Sequence, residues 1–461
     1  MSAAPSSGAG SISASSNKVS PGSGSATRPA RLGWALFDWA QQPYYTLIGS
    51  FVFRPYYVAA VAATPAIGQV HIGLTGTIAG LFVAIAGPLL GIALERGHLK
   101  AWLGWTSLPF IIACFGLWWA LPGGAASIPL ILLFLTVAAA FAEMTTTVNN
   151  AMLPPIAAPG TIGRLSGYGV ALGCLGGLVS AALLLLVVLL PEVPPFGLDA
   201  ALREPERLVG PFSALWYVVF VLPLFLFYPR DVAIEQRARP LGELWRLVRS
   251  LPANRTMLWF FIGRMLSADA LGAIQIFGGI IASTVFGWGP VELVLFGLLI
   301  LSSGGLGALL AGRIDDSMDS RTTVLWTCVV LALALAGLGS ISATEVLWII
   351  PVEPAGPETG FLGSTAEQVF LGFAILLGLA TGPMVSSQRA WMARLSPPGE
   401  EGRWFGLYAV AGRATAFAAP LMVALGTLLT GDTGAVVPVI LGFLLAGIAA
   451  FWRVPETSPG R

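Results

Sequence analysis

Along this chain polar positions punctuate long apolar runs and do not alternate with them. The stretches "AALLLLVVLL" (181–190), "IPLILLFLTVAAAFA" (128–142) and "VLWTCVVLALALAGLGS" (324–340) carry neither the two-residue period of a half-buried strand nor the single apolar stripe of a water-facing helix. Each approaches the ~20 residues that cross a bilayer core of about 30 Å. Breaks at Gly, Pro and charged residues divide the runs into spans at 34–60, 70–94, 101–121, 127–151, 166–190 and 211–229, then 256–286, 290–312, 322–343, 366–394, 404–430 and 434–453. The pattern predicts an all-α polytopic membrane protein of twelve transmembrane helices in two six-helix bundles. Continuous runs of this kind differ from the short alternating segments of a transmembrane β-barrel. Composition agrees, with 56% hydrophobic and 10% charged residues against about 25% charged in soluble domains.

Residues 1–30 are rich in Ser, Gly and Ala and are expected to form a disordered tail. They lack a basic segment leading into an apolar one, so no cleaved signal peptide is expected and the first span directs insertion. The remaining layout is a first bundle at 31–229, a charged linker at 230–255, a second bundle at 256–454 and a short tail at 455–461. Of the 24 Lys and Arg, eighteen fall in the segments on the N-terminal side of the membrane. Two, Arg203 and Arg207, fall on the other side, and Arg54, Arg264, Arg389 and Arg413 lie within spans. By the positive-inside rule both termini are cytoplasmic, and a bacterial inner membrane is the expected location.

Net charge is +1 with no basic face, so no nucleic-acid partner is expected. Cys114, Cys174 and Cys328 sit in apolar spans and read as small buried hydrophobes. His71 and His98 lie toward opposite membrane faces. No zinc-ligand cluster, Ser-His-acid set or Walker loop accompanies them, so neither enzyme chemistry nor a metal or cofactor is expected. The expected partners are a small-molecule substrate and the lipid bilayer, with the chain acting as a monomer.

The chain repeats itself. Gly91, Glu95 and Lys100, with Arg96 between, follow span 2; Gly312, Asp316 and Arg321 follow span 8 at the same spacing, offset by 221 residues. The stretch at 149–173 matches that at 388–412 with an offset of 239, pairing Gly163 with Gly402, Arg164 with Arg403 and Gly167 with Gly406. Two copies of one unit are the arrangement in which transporter halves rock about a midplane site.

These loops resemble the signature of the major facilitator superfamily, although His98 and Asp319 stand where that signature usually has Gly. "WALFDWAQQPYYTLI", "NNAMLPPIAAPGTIGRLSGYGVALGCLGGL", "GRMLSADALGAIQIFGGI" and "SSQRAWMARLSPPGEEGRWFGLYAVAGRATAF" resemble the marker segments of the unknown major facilitator family. That branch includes the autophagy-related vacuolar amino-acid effluxers. The resemblance runs from about residue 31 to 453, with Arg54 standing where the family has proline. It implies alternating access, with a cavity lined by spans 1, 4, 7 and 10, flanked by 2, 5, 8 and 11, and supported by 3, 6, 9 and 12.

Ionisable side chains inside the bilayer cost at least ~2.5 kcal/mol by insertion scales, so each needs a partner or a wet cavity. Those deep within the spans are Asp38, Glu143, Arg264, Asp269, Arg389 and Arg413. At 1.5 Å per residue, Asp38, Glu143, Arg389 and Arg413 lie roughly 6–15 Å from the inner helix ends and Asp269 roughly 20 Å. The first four read as gate ion pairs or as substrate and proton groups, with Arg389 or Arg413 the expected partner of Asp38. Glu143, Thr147 and Asn150 share one helical stripe. Gln41, Gln42, Tyr45, Gln275 and Ser386 are candidates for a polar cavity wall able to hold a zwitterion. Tyr56 and Tyr57 are expected in the outer aromatic belt. The leading expectation is a secondary transporter of an amino acid or similar solute, proton coupling included; a drug or metabolite exporter and a non-transporting assembly or sensing protein are the alternatives.

Overall fold

A computed structural model of the chain describes residues 27–124, 127–191, 193–229, 242, 246, 249–342, 344–353, 362–413, 418–430 and 436–455. The expected N-terminal tail as far as residue 26, most of the 230–255 linker and residues 456–461 lie outside the described residues. The first half contains α1 (Arg28–Pro43, prolonged by Tyr44–Phe51, Phe53–Tyr56 and Tyr57–Val61), α2 (Pro65–Leu94), α3 (Leu99–Gly116), α4 (Ile128–Ala151), α5 (Ile162–Leu184) and α6 (Val209–Phe227). The second contains α7 (Arg255–Phe286), α8 (Pro290–Ser317), α9 (Ser320–Gly339), α10 (Thr365–Leu395), α11 (Glu401–Ala411 and Ala418–Thr430) and α12 (Val436–Trp452). Among the described residues nine helices are long and apolar enough to cross a membrane, and α12 is a shorter apolar one. A two-stranded antiparallel hairpin, β1 (Glu345–Val346) and β2 (Ile350–Pro351), separates α9 from α10.

The first helix shows why hydropathy alone misplaces side chains. It begins at Arg28, inside the expected tail, with proline in its first turn where no N–H is needed. Pro43 cannot donate to the carbonyl of Trp39, and that oxygen instead accepts the indole N–H of Trp216 at 3.1 Å. The helix then widens to i→i+5 hydrogen bonding over Tyr44–Phe51 and again over Tyr57–Val61. Each extra residue turns the following side chains by about 100°. Tyr56 and Tyr57 are buried against the protein and do not face lipid in the aromatic belt: the Tyr56 hydroxyl bonds to the Ala120 carbonyl and Tyr57 pairs with His71 Nδ1 at 2.8 Å.

The internal repeat is visible as packing. Without a hydrophobic force between helices in lipid, small residues that let neighbours approach supply the contact. Gly116 on α3 lies against the Phe134 ring of α4, and Gly337 on α9 lies against the Phe373 ring of α10. The glycines are offset by 221 residues and the phenylalanines by 239, the two offsets found in the sequence.

The halves meet by the same rule. α2 crosses α11 where Gly91 faces the Gly402 backbone, and α8 crosses α5 where Gly312 faces the Gly163 carbonyl. Both crossings lie near the end of the bundle that carries the loop arginines, hereafter the arginine-rich end. In the α2–α3 loop, Gly97 and His98 both take the left-handed conformation (φ 83° and 61°). That explains why the signature favours glycine at His98, since a side chain there costs roughly 1–2 kcal/mol. Asp319 is instead extended and caps α9 through the Thr322 N–H.

Replacing Gly337 with Leu should drive the side chain into Phe373 and destabilise the second half by about 1–3 kcal/mol. A lowered melting temperature of the purified protein is the expected reading; an unchanged one would contradict the packing.

Candidate functional site

The membrane-embedded charges are carried by α1, α4, α7, α10 and α11, and small residues of α5 make room for one pair of them. α5 presents Gly169 and Gly173 toward α1, and a Cβ at Gly169 would lie 2.8 Å from the Asp38 carboxylate. In that slot Arg389 of α10 reaches across the molecule to Asp38, with Nη1 to Oδ2 at 3.0 Å. Its Nε donates to Ser166 Oγ at 2.8 Å, its Nη2 donates to the Ser166 carbonyl at 2.8 Å, and its guanidinium lies 4.8 Å from the Trp34 ring centroid. Ser166 Oγ returns a bond to the Ser386 carbonyl at 2.7 Å, so α1, α5 and α10 are tied at one level. Arg389 is 5% exposed and Asp38 17%, which makes this pair the sealed one.

Glu143 of α4 pairs with Arg413 at the end of the first segment of α11, and the Tyr45 hydroxyl donates to Glu143 Oε1 at 3.4 Å. Here the arginine side chain is 45% exposed. Both pairs take the acid from the first half and the base from the second, so each spans the interface. Of the two partners expected for Asp38, the structure selects Arg389 and gives Arg413 to Glu143.

The other predicted residues divide. Gln41 is buried between α1 and α4, donating to the Ala142 carbonyl at 2.7 Å and accepting from Thr146 at 2.8 Å. That is an interhelical clamp, not cavity wall. Thr147 is buried and returns its hydroxyl to the Glu143 carbonyl at 2.8 Å. Gln42 reaches Thr46 at 3.4 Å, and Asn150 and Ser386 are buried. Gln275 is exposed on α7. Asp269 is buried at 3% exposure in the same helix as Arg264. Arg264 donates to Gln388 Oε1 at 2.8 Å and lies 4.3 Å from the Tyr408 ring centroid. Gln388 also donates to Ser267 at 3.0 Å.

Closer to the arginine-rich end a second layer crosses the interface with the signs partly reversed. Glu95 holds Arg403 with two hydrogen bonds, the Nη2 one at 2.6 Å. Asp316 of α8 accepts from the backbone N–H groups of Gly163 (2.8 Å) and Arg164 (3.0 Å) and from Arg164 Nε (2.9 Å). α5 has no side-chain cap of its own at Thr161. A carboxylate from the other half caps it, a contact worth about 0.5–2 kcal/mol in ordinary helices. Arg394 clamps Asp315 and Asp316 at 2.6 and 2.9 Å from within the second half.

Of the predicted loop motif, Gly91, Glu95, Gly312 and Asp316 thus stand in the interface. Arg321 instead bonds to the Trp452 carbonyl at 2.9 Å. Arg164, Arg394, Arg403 and Asp315 were absent from the predicted site. The repeat could have found two of them: Arg164 and Arg403 are equivalent, as are Glu95 and Asp316, and each arginine pairs with the acid of the opposite half.

Two six-helix halves packed against each other are the architecture of the major facilitator superfamily of secondary transporters. Solved structures agree on the fold. The chain aligns with the proton:xylose symporter XylE (TM-score 0.65, 15% identity, 94% of this chain and 95% of that one). It aligns also with FucP in its outward conformation (TM-score 0.68, 13% identity, 93% and 99%). Within the superfamily the chain belongs to the vacuole effluxer Atg22-like family, whose model matches residues 81–459. It is 23% identical over 444 residues to the uncharacterized MFS-type transporter YxiO of Bacillus subtilis, covering 92% of this chain and 94% of that protein. It is 26% identical over 287 residues to autophagy-related protein 22 of Cryptococcus neoformans, covering 59% of this chain and 47% of that protein. The chain spans about half the length of such fungal relatives.

Substituting Asp316→Ala removes the trans cap and the charge that holds Arg164. Charge-assisted bonds contribute about 1.5–3 kcal/mol, so a buried Ser386→Cys reporter near the arginine-rich end should react with a maleimide about tenfold faster or more. An unchanged labelling rate would show that the layer does not hold the end closed.

Proposed function

We propose that this transporter moves a small zwitterionic solute, an amino acid or a similar molecule, by alternating access. The observation that carries the reading is the Glu143–Arg413 pair, an ion pair between the halves whose arginine is half-exposed while the neighbouring Asp38–Arg389 pair is sealed. A solute carboxylate suits Arg413, whose planar donors match it bidentately. Its ammonium suits Glu143, with Tyr45 alongside. Binding thereby substitutes the solute's charges for the pair's own and loosens one tie between halves. Protonation of Glu143 also frees Arg413, so a proton and the solute can be coupled at one side chain; Asp269, buried in α7, is the second carboxyl suited to that role.

The excess of Lys and Arg at one end supports a cytoplasmic arginine-rich end, and the Bacillus relative supports a bacterial plasma membrane. With that orientation, the cross-half ion pairs hold the cytoplasmic end closed.

Counterflow in proteoliposomes with a labelled amino-acid panel tests the substrate class. At least one zwitterion should exchange, and Arg413→Gln should raise its KM about tenfold or more, the loss of a charge-assisted bond. Exchange of uncharged solutes alone would overturn the reading. Glu143→Gln should make uptake independent of external pH; if neither it nor Asp269→Asn alters the pH profile, coupling does not pass through these carboxyls.

A further inference from the structure

Where α1, α5 and α8 meet, a groove of about 810 Å³ opens on the flank of the bundle. Its residues change character along its length. At the arginine-rich end it is rimmed by Arg28 and Arg31 in the first turn of α1 and Arg164 in the first turn of α5. Deeper, it is lined by Leu172, Leu175 and Leu178 of α5 facing Leu306 and Leu309 of α8.

From Arg164 to Leu178 the α5 wall is roughly 21 Å long at 1.5 Å per residue. One leaflet contributes about half of the 30 Å hydrocarbon core plus its headgroup layer, so the groove has the depth of one leaflet. Leu32, Leu175 and Leu306 are 57%, 48% and 59% exposed, which turns its mouth toward the lipid phase.

The rim is strongly suited to an anion. Among the described lining residues none is acidic. Arg28 is exposed, and Arg164, although bound to Asp316 through Nε, keeps 47% of its side chain open. The N-terminus of α1 ends at the same rim and adds its positive dipole end, whereas that of α5 is already capped by Asp316. Basic pockets between transmembrane helices are recognised sites for anionic headgroups.

We infer that this groove holds one anionic phospholipid of the leaflet at the arginine-rich end, its phosphate among Arg28, Arg31 and Arg164 and an acyl chain between α5 and α8. The wall is shared: Arg28, Arg31 and Leu172 belong to the first half, Gly305 and Leu306 to the second. Rocking apart at this end parts the wall, so the lipid binds the closed state better and shifts the population toward it. The lipid is a conformational selector that takes no part in the solute site.

The full chain is reconstituted in phosphatidylcholine with and without phosphatidylglycerol, and retained lipid is weighed by native mass spectrometry. One phosphatidylglycerol should be retained in preference to phosphatidylcholine. Arg28→Gln should weaken retention about fivefold, the effect of one membrane-proximal cation. Leu306→Trp, which fills the groove from the other half and leaves the rim intact, should weaken it also. A photoreactive residue at Leu306 identifies the occupant: a phospholipid adduct supports the assignment. An adduct to residues 1–26 or to a second copy of the chain overturns it, as does equal retention of both lipids or retention unaffected by both variants.

Discussion

A charge inside a bilayer must be offset by a partner or by water, and the rest of this structure follows from how that demand is met. Asp38 and Glu143 lie in one half, Arg389 and Arg413 in the other. Each of these four charges is compensated across the interface. In this structure the pairs bind the halves; in the alternating access proposed above, opening would let water reach the same groups and take the partner's place. Ion pairs desolvated in one state and hydrated in another have a modest net free-energy difference. That balance lets strong individual contacts coexist with a reversible rocking motion.

The outer layer adds geometry to charge. Backbone-close crossings at Gly91 with Gly402 and at Gly312 with Gly163 bring the helix ends near enough for Glu95 to grip Arg403 and for Asp316 to cap α5. The cap is local helix chemistry made conditional on the global state, because the N-terminus of α5 loses its acceptor when the halves part. Two-fold repetition means that both crossings and both acid–arginine contacts form together.

Much of this was legible before any coordinates. Continuous apolar runs mark membrane helices through length alone, and the 221- and 239-residue offsets carry the pseudo-symmetry, since equivalent residues must meet equivalent neighbours. Burial of Asp38 beside an arginine followed from the cost of an uncompensated charge. Three things escaped. Gln41 looked like cavity wall, because amide side chains in a membrane helix serve clamps and cavities alike. Tyr56 and Tyr57 read as aromatic-belt residues from their place near the end of span 1, and the structure turns both inward, onto the Ala120 carbonyl and His71. Arg394 and Asp315 lie where a helix runs into a loop, and hydropathy gives no sign of which neighbour they face. Differing exposure of the two central ion pairs is a product of packing, and no spacing in the sequence encodes it.

The central claim, that cross-half ion pairs hold the arginine-rich end shut, is tested most directly by reversing one pair. Spin labels on the two halves at that end would report the distance between them by pulsed electron resonance in wild type, Asp38→Arg, Arg389→Asp and the double exchange. The account predicts a short distance in wild type, a broadened and longer distribution in each single variant, and return of the short distance in the double exchange. A short distance in all four proteins would contradict it.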